Sequence, residues 1–163
     1  MAPRRDVVFG APPCANQTMK LPPILYHGTS TKYLRKKLSE GLLPSHMTGA
    51  VLMTCLTDER EAAEYHAHCM AEFESAQPIV FAIPSERLDV AAFTLEDKFV
   101  ELGPSAGRGL FAAELLGFPR WREAPWTWRA MLSIAGAVGY TGTIAVSRSD
   151  ILAVAAPAGD HHQ

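Results

Sequence analysis

The segment Leu25–Thr31 reads LYHGTST: a histidine at the end of an apolar run, then glycine and three hydroxyl residues. An imidazole can donate or accept a hydrogen bond near neutral pH. Glycine lets a ligand lie against backbone that has no Cβ, and three hydroxyl side chains follow it. The plainer alternative for His27 is a strand-end histidine satisfied by backbone.

Other chemistry-bearing residues are more scattered. Cys55 and Cys69 have no evident base in the sequence and read as buried, inert thiols. His66, His68 and Cys69 are near enough in sequence to suggest a metal site. The two histidines fall on different helix faces, however, and no remote ligand pair completes a tetrahedron, so no metal is expected. Gly103, Gly107 and Gly109 do not stand at a strand–helix junction and make no phosphate loop. Trp121, Trp126 and Trp128 with Arg120, Arg122 and Arg129 form either a core corner with surface arginines or a stacking and cation patch. Acids are plentiful at Glu96, Asp97, Glu101, Glu114 and Glu123, yet none lies between Ala130 and Thr143.

These residues must be positioned by a short list of elements. Pro22-Pro23 favour extended backbone into a strand at Ile24–His27. Thr29, Ser30 and Thr31 offer oxygens to cap the helix KYLRKKLSEGL, which Gly41 stops. Pro44 and Gly49 bracket a loop, VLMTCLT (Val51–Thr57) reads as a second strand, and Asp58 caps the helix that follows. In that helix Ala62, His66, Cys69, Met70 and Phe73 recur at helical spacing and are expected inward. PIVFAIP (Pro78–Pro84) is a third, buried strand. Residues 89–109 read as irregular, LFAAELLGF as a short helix, and MLSIAGAVGYTGTIAV and ILAVAA as strand-like. The expected class is α+β with a mostly β second half.

The 163 residues suit one domain, residues 21–163, behind a flexible arm at residues 1–20. That arm has too short an apolar stretch to be a signal peptide. A net charge of -2 gives no strong nucleic-acid signal, and the basic cluster Lys32, Arg35, Lys36 and Lys37 reads as a solvated helix face. Three cysteines without paired spacing argue against a disulfide framework and for a reducing, cytoplasmic setting. No apolar run approaches the ~20 residues needed to span a bilayer, so no membrane partner is expected.

Taken in order, LYHGTS, a helix ending EGLLP, LMTCLTDEREAAEYH and PIVFAIPSERLD resemble the ADP-ribosyltransferase fold of the His-Tyr-Glu type. That group includes poly(ADP-ribose) polymerases, diphtheria-toxin-like enzymes, small bacterial and phage transferases, and RNA 2′-phosphotransferases. The resemblance covers residues 24–90, and GAVGYTGTIAVSRSDIL fits the family's last strands more loosely. It implies a split β-sheet with flanking helices around a central cleft for NAD, which is a substrate here. His27 would bond the adenosine ribose, Gly28 the nicotinamide amide, and Thr29 and Ser30 phosphate or ribose, with Tyr26, Cys55 and Thr57 also at the dinucleotide. The family's stacking tyrosine is replaced by Cys55, whose thiol has no π surface. Tyr65, on the next helix, is the expected substitute, with a core tyrosine as the alternative. The family's glutamate has no counterpart in its slot, which leaves Glu123 as the nearest upstream acid, with Glu114 and Glu101 further off. Such an acid stabilises positive charge building on the ribose as nicotinamide leaves.

The leading expectation is therefore an NAD-dependent ADP-ribosyltransferase of toxin-like type, using His27, Tyr65 and Glu123, with an unidentified macromolecular or small-molecule acceptor. The alternative is a degenerate transferase fold acting as a binding or inhibitory module. RNA 2′-phosphotransferase ranks last, because the matching segments offer little beyond Arg60 for a phosphate.

Overall fold

The computed structural model describes residues 20–48 and 51–156. The expected N-terminal arm, apart from Lys20, and the loop glycine Gly49 lie outside these residues. Among them the chain is α+β, built on an antiparallel sheet of seven strands. The strands are β1 (Ile24–Ser30), β2 (His46–Thr48), β3 (Val51–Thr57), β4 (Pro78–Pro84), β5 (Phe93–Thr94), β6 (Ala137–Tyr140) and β7 (Ile151–Leu152). Their order is β5-β6-β3-β1-β4-β7, with β2 paired to β3. The helices are α1 (Leu34–Glu40), α2 (Arg60–Glu74), α3 (Asp97–Leu102), α4 (Gly107–Leu116), α5 (Phe118–Glu123) and α6 (Trp128–Ala135). None of the described helices is long and apolar enough to cross a membrane.

The sheet opens in its middle. β1 runs beside β4 for its full length, from Ile24 opposite Pro84 to Ser30 opposite Pro78. On its other edge β1 meets β3 at a single pair, Tyr26 with Thr57. Beyond that pair the strands diverge, and a cavity fills the opening. The main core lies over the sheet and joins Leu25, Leu56, Phe81, Ile83, Val138 and Tyr140 to Leu132 of α6. A second core of Ala113, Trp121, Met131 and Ala135 holds α4, α5 and α6 together. The Trp121 indole donates to the Phe99 carbonyl at 2.8 Å, and Trp126 packs on it at 4.5 Å between ring centroids. The core-corner reading holds for these two rings, while Trp128 stacks on Phe93 and carries Arg129 on its face.

Several local expectations change. MLSIA is helix α6 rather than strand. Thr127 caps it, accepting from the Ala130 N–H at 3.1 Å, and Gly136 at φ 71° ends it. Among the described residues the second half thus carries four α-helices. The inward face of α2 is Ala62, Ala63, Ala67 and Ala71, while Cys69 is exposed and Phe73 is 85% exposed. The small side chains let α2 sit directly on β1. A Cβ on Gly28 would come within 1.9 Å of the Ala63 carbonyl oxygen and 2.9 Å of the Ala67 nitrogen. The hydroxyl residues after Gly28 do not cap α1, which starts without a side-chain cap behind a left-handed Tyr33 at φ 60°. Likewise no side chain caps α2; Asp58 pairs instead with Arg108.

Candidate functional site

The opening between β1 and β3 holds a cavity of about 200 Å³. Tyr26, His27, Gly28 and Thr29 of β1 line it with Met53, Thr54, Cys55 and Thr57 of β3; α2 contributes Ala62, His66 and Met70, and the far side brings Glu96, Phe99 and Ala106. The His27 Nδ1 lies 2.9 Å from the Cys55 carbonyl oxygen, so the ring crosses the opening. A carbonyl only accepts, so this nitrogen carries the proton, and in the neutral ring Nε2 is the acceptor.

Glu96 is the unexpected member. It is only 4% exposed, and its Oε2 has no hydrogen-bond partner. Register explains how it arrives. Thr94 of β5 pairs with Gly139 of β6, and Gly139 pairs with Cys55 of β3. Gly139 keeps that row free of a side chain, since a Cβ there would meet the Met53 sulfur at 2.6 Å and the Thr94 methyl at 2.9 Å. The chain leaving β5 then delivers Glu96 to the cavity wall beside Cys55, whose thiol acts on its carboxyl. Burial pushes the Glu96 carboxyl up to about 7, against the pull of the thiol and of Lys98. Burial also pushes the Cys55 thiol well above its ordinary range, reinforced by Glu96. Cys55 is therefore a protonated donor, not a nucleophile.

Of the residues expected at the site, Tyr26, His27, Gly28, Thr29, Cys55 and Thr57 line the cavity. The missing Cβ of Gly28 is accounted for by the close approach of α2. The hydroxyls of β1 are engaged within the protein. Thr29 Oγ1 accepts from Lys37 Nζ at 3.1 Å, and that ammonium also reaches the carbonyls of Ser30 and Lys32 at 2.9 Å each. Ser30 is fully buried, bonded to Glu74, and outside the lining. Thr57 Oγ1 accepts from the Glu59 N–H at 3.1 Å.

Tyr65 and Glu123 are not brought to the cavity. Tyr65 is 47% exposed and sits edge-on to His66, the ring that faces inward in its place. One helical position, about 100°, separates the two. Glu123 is exposed at the end of α5, and Glu101 and Glu114 are exposed as well. Arg60 is taken by Glu64 at 2.9 Å and by the Ala153 carbonyl at 3.1 Å. His68 Nε2 meets the Ala155 carbonyl at 3.0 Å.

Sequence reasoning missed Glu96 and His66 as site residues. For His66 the alanine face of α2 carried the signal: with Ala63, Ala67 and Ala71 against β1, Ala62, His66 and Met70 follow along the adjoining stripe. Glu96 sits in the charged run Glu96-Asp97-Lys98 and carries no local signal, because a two-residue strand pairing places it.

The cavity's far side is pinned by Arg108 at the start of α4. Its guanidinium makes two bonds to Asp58, at 2.7 and 2.8 Å, and reaches the Leu132 carbonyl at 2.9 Å. Its backbone N–H donates to Glu59 at 3.1 Å. No protein-family model, curated protein or solved structure matches this chain.

Proposed function

We propose that the cavity receives the nicotinamide end of NAD and that the protein is an ADP-ribosyltransferase in which Glu96 takes the role expected of Glu123. The observation that carries this reading is the convergence of His27, His66 and an unpartnered buried carboxyl oxygen of Glu96 on one cavity in a sheet opened between β1 and β3. A cavity of about 200 Å³ is below the ~300–1,000 Å³ of sites that enclose a drug-sized ligand. It suits a ring and part of a sugar, with the remainder of the dinucleotide at the mouth.

In the step this implies, the bond from C1′ to the nicotinamide nitrogen breaks and its electron pair leaves with neutral nicotinamide. The acceptor oxygen bonds C1′ and gives its proton to Glu96. Only an ionised Glu96 can offset the ribose cation or take that proton, so turnover rises as pH passes through about 7.

The test is release of nicotinamide from NAD, followed by chromatography at pH 8. Glu96→Gln should lower it by ~10²–10³, while Tyr65→Ala and Glu123→Gln stay near the parent rate. Loss of release in Glu123→Gln with none in Glu96→Gln would reverse the assignment. The replacement of a stacking tyrosine by Cys55 favours a second reading, a binding module. NAD binding by calorimetry without any release, at any pH, selects that reading over the transferase.

A further inference from the structure

We infer that Cys55 is a positioning residue that aims both polar side chains of the cavity, its thiol donating to the Glu96 carboxyl and its carbonyl holding the His27 Nδ1–H. The inference rests on the reading of the cavity as a reaction site. It also gives a physical role to the residue that departs from the stacking tyrosine.

Three observations carry it. Cys55 lies on β3 at the edge of the opening, where its carbonyl is 2.9 Å from His27 Nδ1. Its side chain shares the cavity wall with a carboxyl that is otherwise enclosed, Glu96 being 4% exposed with Oε2 unpartnered. The row Cys55–Gly139–Thr94 fixes the distance between β3 and the chain leading to Glu96, so the contact is set by strand register. One carboxyl oxygen is thereby held by the protein and the other is left for a ligand. A buried carboxyl whose second oxygen finds no protein partner is costly unless a ligand or a proton meets it.

The thiol matters chemically because it stays protonated. A hydrogen bond donated to a carboxylate favours the ionised form and holds its pKa down. Removing the donor must therefore raise the pH at which Glu96 ionises. The titratable and charged groups that share this cavity or act on the carboxyl are Tyr26 and His27 from β1, Cys55 from β3, His66 from α2 and Lys98 from α3. Substitution at Cys55 alters one of them and leaves the backbone carbonyl, and so the His27 contact, in place.

The experiment follows the side-chain carboxyl carbons of ¹³C-labelled full-length protein by NMR across pH 5–9, with the Glu96 signal assigned by its loss in Glu96→Gln. The parent signal should move with a midpoint near 7. Cys55→Ala should raise that midpoint by about one unit, a tenfold change in proton affinity. Cys55→Ser, which keeps a donor, should leave it at or below the parent value. An unchanged midpoint in Cys55→Ala overturns the inference. If the alanine variant does not fold, a higher midpoint in Cys55→Ser overturns it. A merely structural role would lower the melting temperature and leave the titration in place. Because the titration needs no NAD, a shifted midpoint in a protein that releases no nicotinamide keeps Cys55 as the group that sets Glu96 and removes the transferase reading alone.

Discussion

The two walls of the cavity are held by different physics. On the β1 and α2 side, backbone meets backbone: Gly28 faces Ala63 and Ala67 with no room for a methyl group, and Val80 closes the cluster from β4. On the opposite side, the segment from β5 to α4 is made of short elements and anchored by polar groups, above all Arg108 on Asp58 and Glu59. The first wall is rigid because small residues exclude alternatives at close packing. The second, made of short elements around its own apolar cluster and tied to Asp58 and Glu59 by Arg108, is expected to open more readily than the first. It also carries the buried acid. Rigid packing thus presents the histidines, and the weaker wall delivers the carboxyl.

The sharpest way to break this comparison is Gly28→Ala. A Cβ there meets backbone atoms at 1.9 Å and 2.9 Å, and neither α2 nor β1 can yield without disturbing the sheet. We expect a loss of about 3 kcal/mol, measured by urea unfolding, as a global effect. A loss below about 0.5 kcal/mol would show that α2 is free to shift and that the first wall is not close-packed.

Glu96→Gln tests the second wall through pH. In the folded protein the carboxyl ionises near 7, against 4.5 for a free glutamate side chain. Between those values the unfolded chain gives up its proton while the folded protein keeps it, so folding stability falls as pH rises through this window. The cost is complete above about 7. Glutamine does not ionise, so the variant gains on the parent as pH rises from 4.5, by at most about 3 kcal/mol at pH 8. Parallel stability curves for the two proteins from pH 4 to 8 would show that Glu96 is solvated and that the wall does not enclose it.

The smallest effect is expected from Arg108→Gln. The guanidinium is partly exposed, so its ion pairs are discounted for solvent, and the loss should be about 1 kcal/mol. The location of the effect sharpens the comparison. Amide hydrogen exchange should quicken in α3 and α4 while β1 and α2 stay protected. Faster exchange spread evenly over both walls would make them one cooperative unit.

The first wall was legible in the sequence. Pro22-Pro23, the apolar run to His27, the stop at Gly41 and the apolar stretches of β3 and β4 are local signals, and the structure keeps all of them. The face of α2 was misjudged because large apolar residues were expected inward, whereas contact with a glycine strand demands alanines. The second wall was not legible. α6 was read as strand because MLSIAGAV is apolar but for Ser133; its capping threonine and terminal glycine are brief signals beside that run.

What the sequence determined by itself, then, is the class of the fold and the strand that carries His27, because apolar periodicity and chain-breaking residues act over a few positions. What only the tertiary structure decided is which acid and which ring meet that histidine. Tyr65 and His66 are neighbours in sequence, and a single step along α2 turns one to solvent and the other to the cavity. Glu96 and Glu123 are both acids in charged or mixed segments. Glu96 is buried because β5 pairs with β6 and β6 with β3. Strand register joins residues far apart in the chain, and no local propensity encodes it.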